Sequence, residues 1–437
     1  MNQDRRLYSL ILLCVCPFLL ACSEEPAGPD STPSSRVFLI GVDGATWDIA
    51  DGLMAEGRMP NLSSLVESGL KAPLATMHPT LSPALWTSVA TGKTFEKHGI
   101  DGFGKTFDTG DGEDRTSIMH VTSNLRRTKA LWNILGDLDR KVGFVGWWVT
   151  WPAERVNGYM VSSFVPLSQT ATDDTPTKGT LVDSMSGQTW PPDLIDELRP
   201  LIRSAESVTQ AEAERFMTLE EDDFQMPVVE GFRWAYSADE TYRAVARKLL
   251  TEDPDIDLVG LYFSGIDVVS HRFWEFYRPE WYPKMTPKVE IEKFHTVIPS
   301  YYEYFDEILG EILSFRRPGD TFVVLSDHGF GREGGHLLGD PPGILVMAGH
   351  NIQAGGDLRD PQLIDIAPTA LAALGLATAK DMDGRVLVEA FTRDWKNSFP
   401  RDRVASYDTE DWQEQPAVES EISEELARRL KALGYID

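Results

Sequence analysis

Three aspartates and three histidines stand where apolar runs of the chain end. Val37–Val42 closes on Asp43-Gly44, and Asp257–Phe263 on Ser264-Gly265-Ile266-Asp267, with His271 four residues later. Thr321–Leu325 closes on Ser326-Asp327-His328-Gly329, and a Gly-rich turn beyond it carries His336. A carboxylate directly after a buried strand is costly unless it is paired or holds a metal. Carboxylate oxygens and imidazole nitrogens without thiolates suit Zn2+ first and Mn2+ second. Six such ligands are too many for one tetrahedral ion, so two divalent ions about 3.5–4 Å apart are expected.

The stretch His78-Pro79-Thr80-Leu81-Ser82-Pro83 to Gly92 offers a nucleophile. Pro83 reads as the first helical position and Gly92 as the C-terminal stop, which makes Ser82 the N-cap. A hydroxyl there faces free N–H groups and the positive end of the helix dipole, which favours an alkoxide and an anion beside it. Serine before proline is also an ordinary cap. Next to a dimetal site the hydroxyl gains a second use, because a metal depresses the pKa of a coordinated hydroxyl without a histidine base. Thr80, on the same turn, is the reserve candidate.

The elements that must position these residues follow from periodicity. Continuous apolar runs of the buried parallel-strand type occur at Val37–Val42, Lys141–Trp148, Asp257–Phe263, Thr321–Leu325 and Gly343–Met347. Helical patterns lie at Pro60–Glu67, Pro83–Thr91, Lys129–Leu135, Ala238–Leu250, Tyr301–Leu313 and Leu363–Leu374. That alternation predicts an α/β fold, a three-layer α/β/α sandwich on a mostly parallel central sheet, and in such sheets ligands bind beyond the carboxyl ends of the strands. The expected organisation is a leader at residues 1–21, a Pro/Ser-rich flexible tether at 22–36, and a catalytic domain at 37–376 with insertions near 103–128 and 160–235. A tail at 377–437 carries an amphipathic helix over Glu421–Leu433. The aromatic clusters Trp147–Trp151 and Phe273–Tyr277 read as core or rim packing, with Trp274 the exception. His78, His98, His120, His295 and His350 read as turn or surface residues.

Composition narrows the function classes. With 437 residues, 42% hydrophobic and 25% charged, the chain is neither collagen, coiled coil nor wholly disordered. It has 41 basic and 68 acidic residues, and without residues 1–21 the balance is 39 against 67, a net charge of -28. So acidic a chain is not expected to bind a nucleic-acid polymer, where each phosphate contact wants Lys or Arg. All three cysteines, Cys14, Cys16 and Cys22, are N-terminal, so the chain beyond Cys22 has no disulfide and no thiol chemistry. Arg5-Arg6, the apolar run Leu7–Ala21 and then Cys22 form a charged n-region and an h-region too short to span a bilayer comfortably. Leu19-Leu20-Ala21-Cys22 resembles the bacterial lipobox. That likeness implies lipidation of Cys22, a membrane anchor, and a place in the cell envelope, at the outer membrane or periplasmic face if the host has two membranes.

Taken in order, these segments resemble the alkaline phosphatase superfamily, specifically its type I phosphodiesterase/nucleotide pyrophosphatase branch. That branch has an Asp after the first strand, a Pro-x-x-Thr…Thr-Gly segment with the nucleophile, an Asp-x-x-x-His pair, an Asp-His-Gly and a late His. Here these are Asp43, Pro79–Gly92 with Ser82 at the nucleophile position, Asp267/His271, Asp327-His328-Gly329 and His336. Lys97-His98-Gly99-Ile100 and Asp365–Thr369 extend the likeness. The resemblance implies that Asp267, His271 and His336 hold one metal, and that Asp43, Asp327 and His328 hold the other, with Ser82 at or near it. Two positions depart from the branch: Ser82 replaces its Thr, and Leu85 stands where it has an Asn that contacts phosphate. The Cys/Ser-x-Pro-x-Arg motif of sulfatases is absent from the sequence. The expected function is an exported, membrane-anchored two-metal hydrolase of phosphate esters or diesters acting on a small phosphorylated substrate. The alternatives are a phosphomonoesterase or phosphotransferase of the same superfamily, and a non-catalytic envelope lipoprotein that uses the fold to bind.

Overall fold

Strand β1 (Val37–Val42) sends alternate side chains into two apolar layers. Phe38, Ile40 and Val42 join one buried cluster, and Val37 and Leu39 join the other. A strand buried on both faces needs helices on both, and the computed structural model provides them. It describes residues 35–108, 116–163, 165, 186–220, 222–282, 286–331, 341–399, 402–409 and 412. Cys22, His336, the leader, nearly all of the 22–36 stretch and the Glu421–Leu433 segment lie outside the described residues.

The other strands are β2 (Gly69–Leu74), β3 (Gly104–Asp108), β4 (Thr116–His120), β5 (Val142–Val145), β6 (Gly158–Val161), β7 (Thr189–Trp190), β8 (Leu258–Phe263), β9 (Thr321–Leu325), β10 (Gly343–Gly349), β11 (Thr378–Ala379) and β12 (Arg403–Val404). Eight of them form one sheet in the order β2-β10-β9-β1-β8-β5-β6-β7. The central strands β9, β1, β8, β5 and β6 are parallel, whereas β10 runs antiparallel to β9 and β2, and β7 antiparallel to β6. Helices Trp47–Ala55, Pro60–Ser68, Pro227–Glu252 and Val297–Leu313 fill the first layer, and Ser82–Thr91, Leu131–Asp137 and Ile366–Ala373 the second. This is the expected three-layer α/β/α architecture.

Among the elements the sequence reading missed are β2, β6 and the helices Trp47–Ala55 and Gly265–Tyr277. In β2, Lys71 and Pro73 are exposed while Leu70, Ala72 and Leu74 are buried. It is an edge strand, the one place in a sheet where a proline is tolerated, and it lacks the all-apolar signature of its neighbours. The helix Gly265–Tyr277 follows β8 after a single residue, so its Ser264 cap and Asp267 three residues on read as the end of the strand rather than as a helix start. Strands β3 and β4 pair as a separate antiparallel ribbon within the first insertion. From the second insertion, Leu198, Val208, Ala213 and Phe216 enter the first core layer. Beyond residue 376, Met382, Leu387, Phe391 and Trp395 continue the second.

Candidate metal centre and nucleophile

Three adjacent parallel strands, β9, β1 and β8, end side by side, and Asp43, Asp327 and His328 emerge there, with Asp267 in the first turn of the helix that follows β8. The Asp43 N–H donates to the Phe263 carbonyl at 3.0 Å, so the β1–β8 ladder runs on to Asp43 itself. Ser326 joins the other two ends: its Oγ accepts from the Ala45 N–H at 2.9 Å and donates to the His328 carbonyl at 2.7 Å. After β8 the chain turns at once into the helix Gly265–Tyr277, which puts Asp267 and His271 one turn apart on the same face. Asp239 anchors the start of that helix, accepting from the N–H groups of Ser264 (3.2 Å) and Gly265 (3.1 Å) and from the Tyr301 hydroxyl (3.0 Å).

One donor atom each from Asp43, Asp267 and His328 lie within 4.8 Å of one another. His328 Nε2 is 3.3 Å from Asp43 Oδ1, 4.0 Å from Asp267 Oδ1 and 3.8 Å from Asp327 Oδ2. His271 Nε2 is 3.5 Å from Asp267 Oδ1, so Asp267 borders both histidines. His328 Nδ1 lies 2.9 Å from the Gly329 carbonyl, which can only accept; the proton therefore sits on Nδ1 and Nε2 faces the carboxylates. Asp43, Asp267 and Asp327 are 2%, 1% and 0% exposed, and both Asp327 oxygens lack a hydrogen-bond partner. Among the described residues no lysine or arginine makes an ion pair with Asp43 or Asp327.

Burial and this charge distribution shift the pKa values of Asp43, Asp327, His328 and His271. Burial raises the Asp43 carboxyl, but His328 outweighs it, helped by the Tyr262 hydroxyl, and holds it below the usual carboxylate range. Asp327 goes the other way, pushed well up by burial and by the Asp43 charge. Burial lowers His328, yet Asp327, Asp43 and Asp267 together lift it well above its ordinary value. Without a metal, then, a proton on His328 is what balances the carboxylates. Burial first, and His328 next, depress His271 to about 3, which leaves it neutral with a lone pair to give. Buried oxygens without partners, a neutral imidazole and a surplus of negative charge fit a divalent cation.

The helix Ser82–Thr91 enters from the second layer. Ser82 is its first helical residue and Leu81 the N-cap, one position earlier than the sequence suggested. Gly92 does end the helix, in the left-handed conformation. The Ser82 hydroxyl is buried without any hydrogen-bond partner, while Thr80 Oγ1 is 3.2 Å from His78 Nδ1 and 3.4 Å from the Met77 carbonyl. Leu85, at the departing position, is buried in the second core layer. His98 is not a surface residue: it is fully buried, 2.9 Å from Ser88 Oγ, and burial pushes it down to about 3.

A family model, the type I phosphodiesterase/nucleotide pyrophosphatase model, matches residues 37–339, more than half of the chain. The chain belongs to that family. With the family comes membership of the alkaline phosphatase superfamily of hydrolases. A putative sulfatase from Bacteroides thetaiotaomicron is similar in structure at a TM-score of 0.50 and 10% identity, covering 82% of this chain and 74% of that one. It shares the fold. Alkaline phosphatase PafA gives a TM-score of 0.49 at 11% identity, covering 83% of this chain and 100% of the other. Among curated proteins, a 2,3-bisphosphoglycerate-independent phosphoglycerate mutase from Roseobacter denitrificans is 33% identical over 97 residues, 20% of this chain. The chain thus spans only 18% of that enzyme's length.

Residues the sequence reading passed over form the surroundings of Asp43. Asp43 Oδ2 accepts from the Tyr262 hydroxyl and, at 3.2 Å, from Trp86 Nε1. Tyr262 sits inside an apolar strand and Trp86 inside an apolar helix, so periodicity reads both as core. Trp147 and Trp148 pack around them, and Trp274 packs at a tilt against Phe330, whose ring lies 5.0 Å from His271.

Two predictions arise here. Gly44 has φ +70°, and a Cβ on it would come 2.8 Å from Asp267 Cβ. Gly44→Ala is expected to cost about 1–3 kcal/mol for the backbone alone. It should also push Asp267 out of place, so thermal unfolding should shift down and activity should fall with it. Asp239 is raised to about 7, burial being the main cause. Between its unfolded value of 3.8 and about 7, the folded chain holds that proton more tightly. Its contribution to stability therefore declines as pH rises through this window and stays flat above it. The Tm difference between the wild type and Asp239→Asn should accordingly be larger at about pH 5 than at about pH 8.

Proposed function

We propose that the protein is a two-metal phosphoester hydrolase whose nucleophile is the Ser82 hydroxyl. The observation that carries this reading is the buried group Asp43, Asp267, Asp327 and His328, short of positive charge, at the strand ends. On this reading Asp43, Asp327 and His328 hold one ion, and Asp267, His271 and His336 hold the other, with zinc preferred over manganese. Bound divalent ions would neutralise the phosphoryl oxygens and the entering and leaving oxygens. Ser82 supplies Oγ from the first turn of its helix, where free N–H groups and the dipole favour a negative oxygen. The Oγ–P bond forms as the P–O bond to the alcohol breaks, and the Ser82 proton leaves with the alcohol. Water then displaces Oγ from the phosphoserine and restores the hydroxyl.

Metal analysis of the purified protein, combined with hydrolysis of bis-p-nitrophenyl phosphate and p-nitrophenyl phosphate, tests the proposal. About two divalent ions per chain and faster turnover of the diester are expected. No bound metal and no turnover of either ester would favour the non-catalytic reading. The stretch matching a phosphoglycerate mutase lends weight to a second reading, phosphoryl transfer to an alcohol. Phosphorylated glycerol formed at the expense of free phosphate would mark it.

The N-terminal reading belongs to the same proposal: cleavage before Cys22, acylation of its thiol, and a hydrolase tethered in the cell envelope. Two lipid signals anchor firmly where one chain binds only reversibly. Wild type should partition with membranes and incorporate labelled fatty acid, and Cys22→Ala should do neither. Equal labelling of both would sink the anchor.

A further inference from the structure

We propose that Tyr262 and Trp86 are positioning residues that fix Asp43 so that only its Oδ1 is offered to metal; this rests on the two-metal reading above. The carboxylate of an aspartate rotates about its last torsion and can bind an ion through one oxygen or both. Here Oδ2 already has two donors, the Tyr262 hydroxyl and Trp86 Nε1. The direction of the tyrosine proton follows from its neighbours. Trp148 Nε1, which can only donate, lies 2.7 Å from the Tyr262 oxygen, so the single hydroxyl proton is left for Asp43. Oδ1, by contrast, has no hydrogen-bond partner and stands 3.3 Å from His328 Nε2.

The two donors are themselves held. The Trp86 and Tyr262 rings meet edge to face at 5.0 Å, and Trp147 packs on Trp86 in the same way at 5.1 Å. Trp147 Nε1 donates to the Trp86 carbonyl at 3.2 Å. On the strand side Gly41 makes room for the indole, since a Cβ there would lie 2.6 Å from Trp86 Cζ3. Trp86 also stands four residues after Ser82 in one helix. The contact that orients the metal ligand therefore ties it to the helix bearing the nucleophile, and one rigid turn sets the spacing between them.

Outer partners of this kind typically contribute about 10–100-fold in metal affinity. The test is zinc affinity by competition with a chromophoric chelator for wild type, Tyr262→Phe, Trp86→Phe and the double variant, together with Tm of the metal-free proteins. Tyr262→Phe changes one hydroxyl and no packing volume, so it carries the test even if Trp86→Phe does not fold. Weakening of about 10-fold or more in Tyr262→Phe, with metal-free Tm near wild type, is expected. The Co2+-loaded variant should show weaker visible absorption as Asp43 turns to bind through both oxygens. Zinc affinity within about twofold of wild type in Tyr262→Phe, with unchanged cobalt absorption, would overturn the assignment and leave the two-metal reading standing. A wild type that binds neither ion would bring down both.

Discussion

Ser82→Ala should lose activity by on the order of 10³-fold or more while keeping its metal content and its Tm. The hydroxyl is buried and bonded to nothing, so its removal breaks no hydrogen bond and creates a cavity of a single oxygen. The proposed ligands Asp43, Asp267, His271, Asp327 and His328 stand on other elements, at the ends of β1, β8 and β9 and in the helix after β8. Ser82→Thr, which returns a hydroxyl, should recover part of the rate. Phosphoenzyme trapped by acid quench from labelled substrate should appear in the wild type and be absent from the alanine variant. Should Ser82→Ala instead keep most of its turnover, the nucleophile is elsewhere. Thr80 would then be the next residue to replace, although its hydroxyl already has partners in His78 and the Met77 carbonyl.

Asp327→Asn is expected to separate stability from function. In the metal-free chain three buried carboxylates crowd around one imidazole, and the Asp43 charge together with burial drives the Asp327 carboxyl toward its neutral form. Asparagine has the same shape without the charge, so the metal-free variant should unfold at the wild-type temperature or above it. With Zn2+ the order should reverse. Binding to the folded state alone stabilises by about 2.7 kcal/mol at a hundredfold excess over Kd, and a variant that has lost a charged ligand forfeits most of that gain. Differential scanning calorimetry of both proteins, with zinc and after chelation, reads the crossing directly. If Asp327→Asn gains as much from zinc as the wild type, Asp327 is not a ligand.

Part of this cluster could be read from the chain alone because Asp43, Asp267 and the Asp327-His328 pair each follow a long apolar run. Asp43, Asp267 and His328 stand out because a polar residue at the end of a buried strand has to be paid for in desolvation. The fold class was legible for the same reason: continuous Val/Ile/Leu segments separated by helical patterns make a sheet covered on both faces. The start of the Ser82 helix came out one residue late, because a Ser-Pro pair fits the cap and the first turn equally well. The helix Gly265–Tyr277 was hidden for a different reason. It begins one residue after β8, so the Ser264-Gly265 break that opens it reads as the end of the strand.

The tertiary structure decided what spacing cannot hold. The order β9-β1-β8 brings together residues more than two hundred positions apart in sequence, and nothing local encodes which strand lies beside which. It also turned Tyr262 and Trp86 from apparent core residues into donors on Asp43. Their apolar bodies satisfy the periodicity of strand and helix, and only packing determines where the O–H and N–H at their tips point. Asp239 likewise reads as one more acidic residue of a polar helix. It becomes the anchor of the Asp267 helix because Pro227–Glu252 packs against the start of that helix and buries the carboxylate on two otherwise unpaired N–H groups. Residue types and their order determined the chemistry available to this protein; the long-range packing of strands and helices determined its geometry.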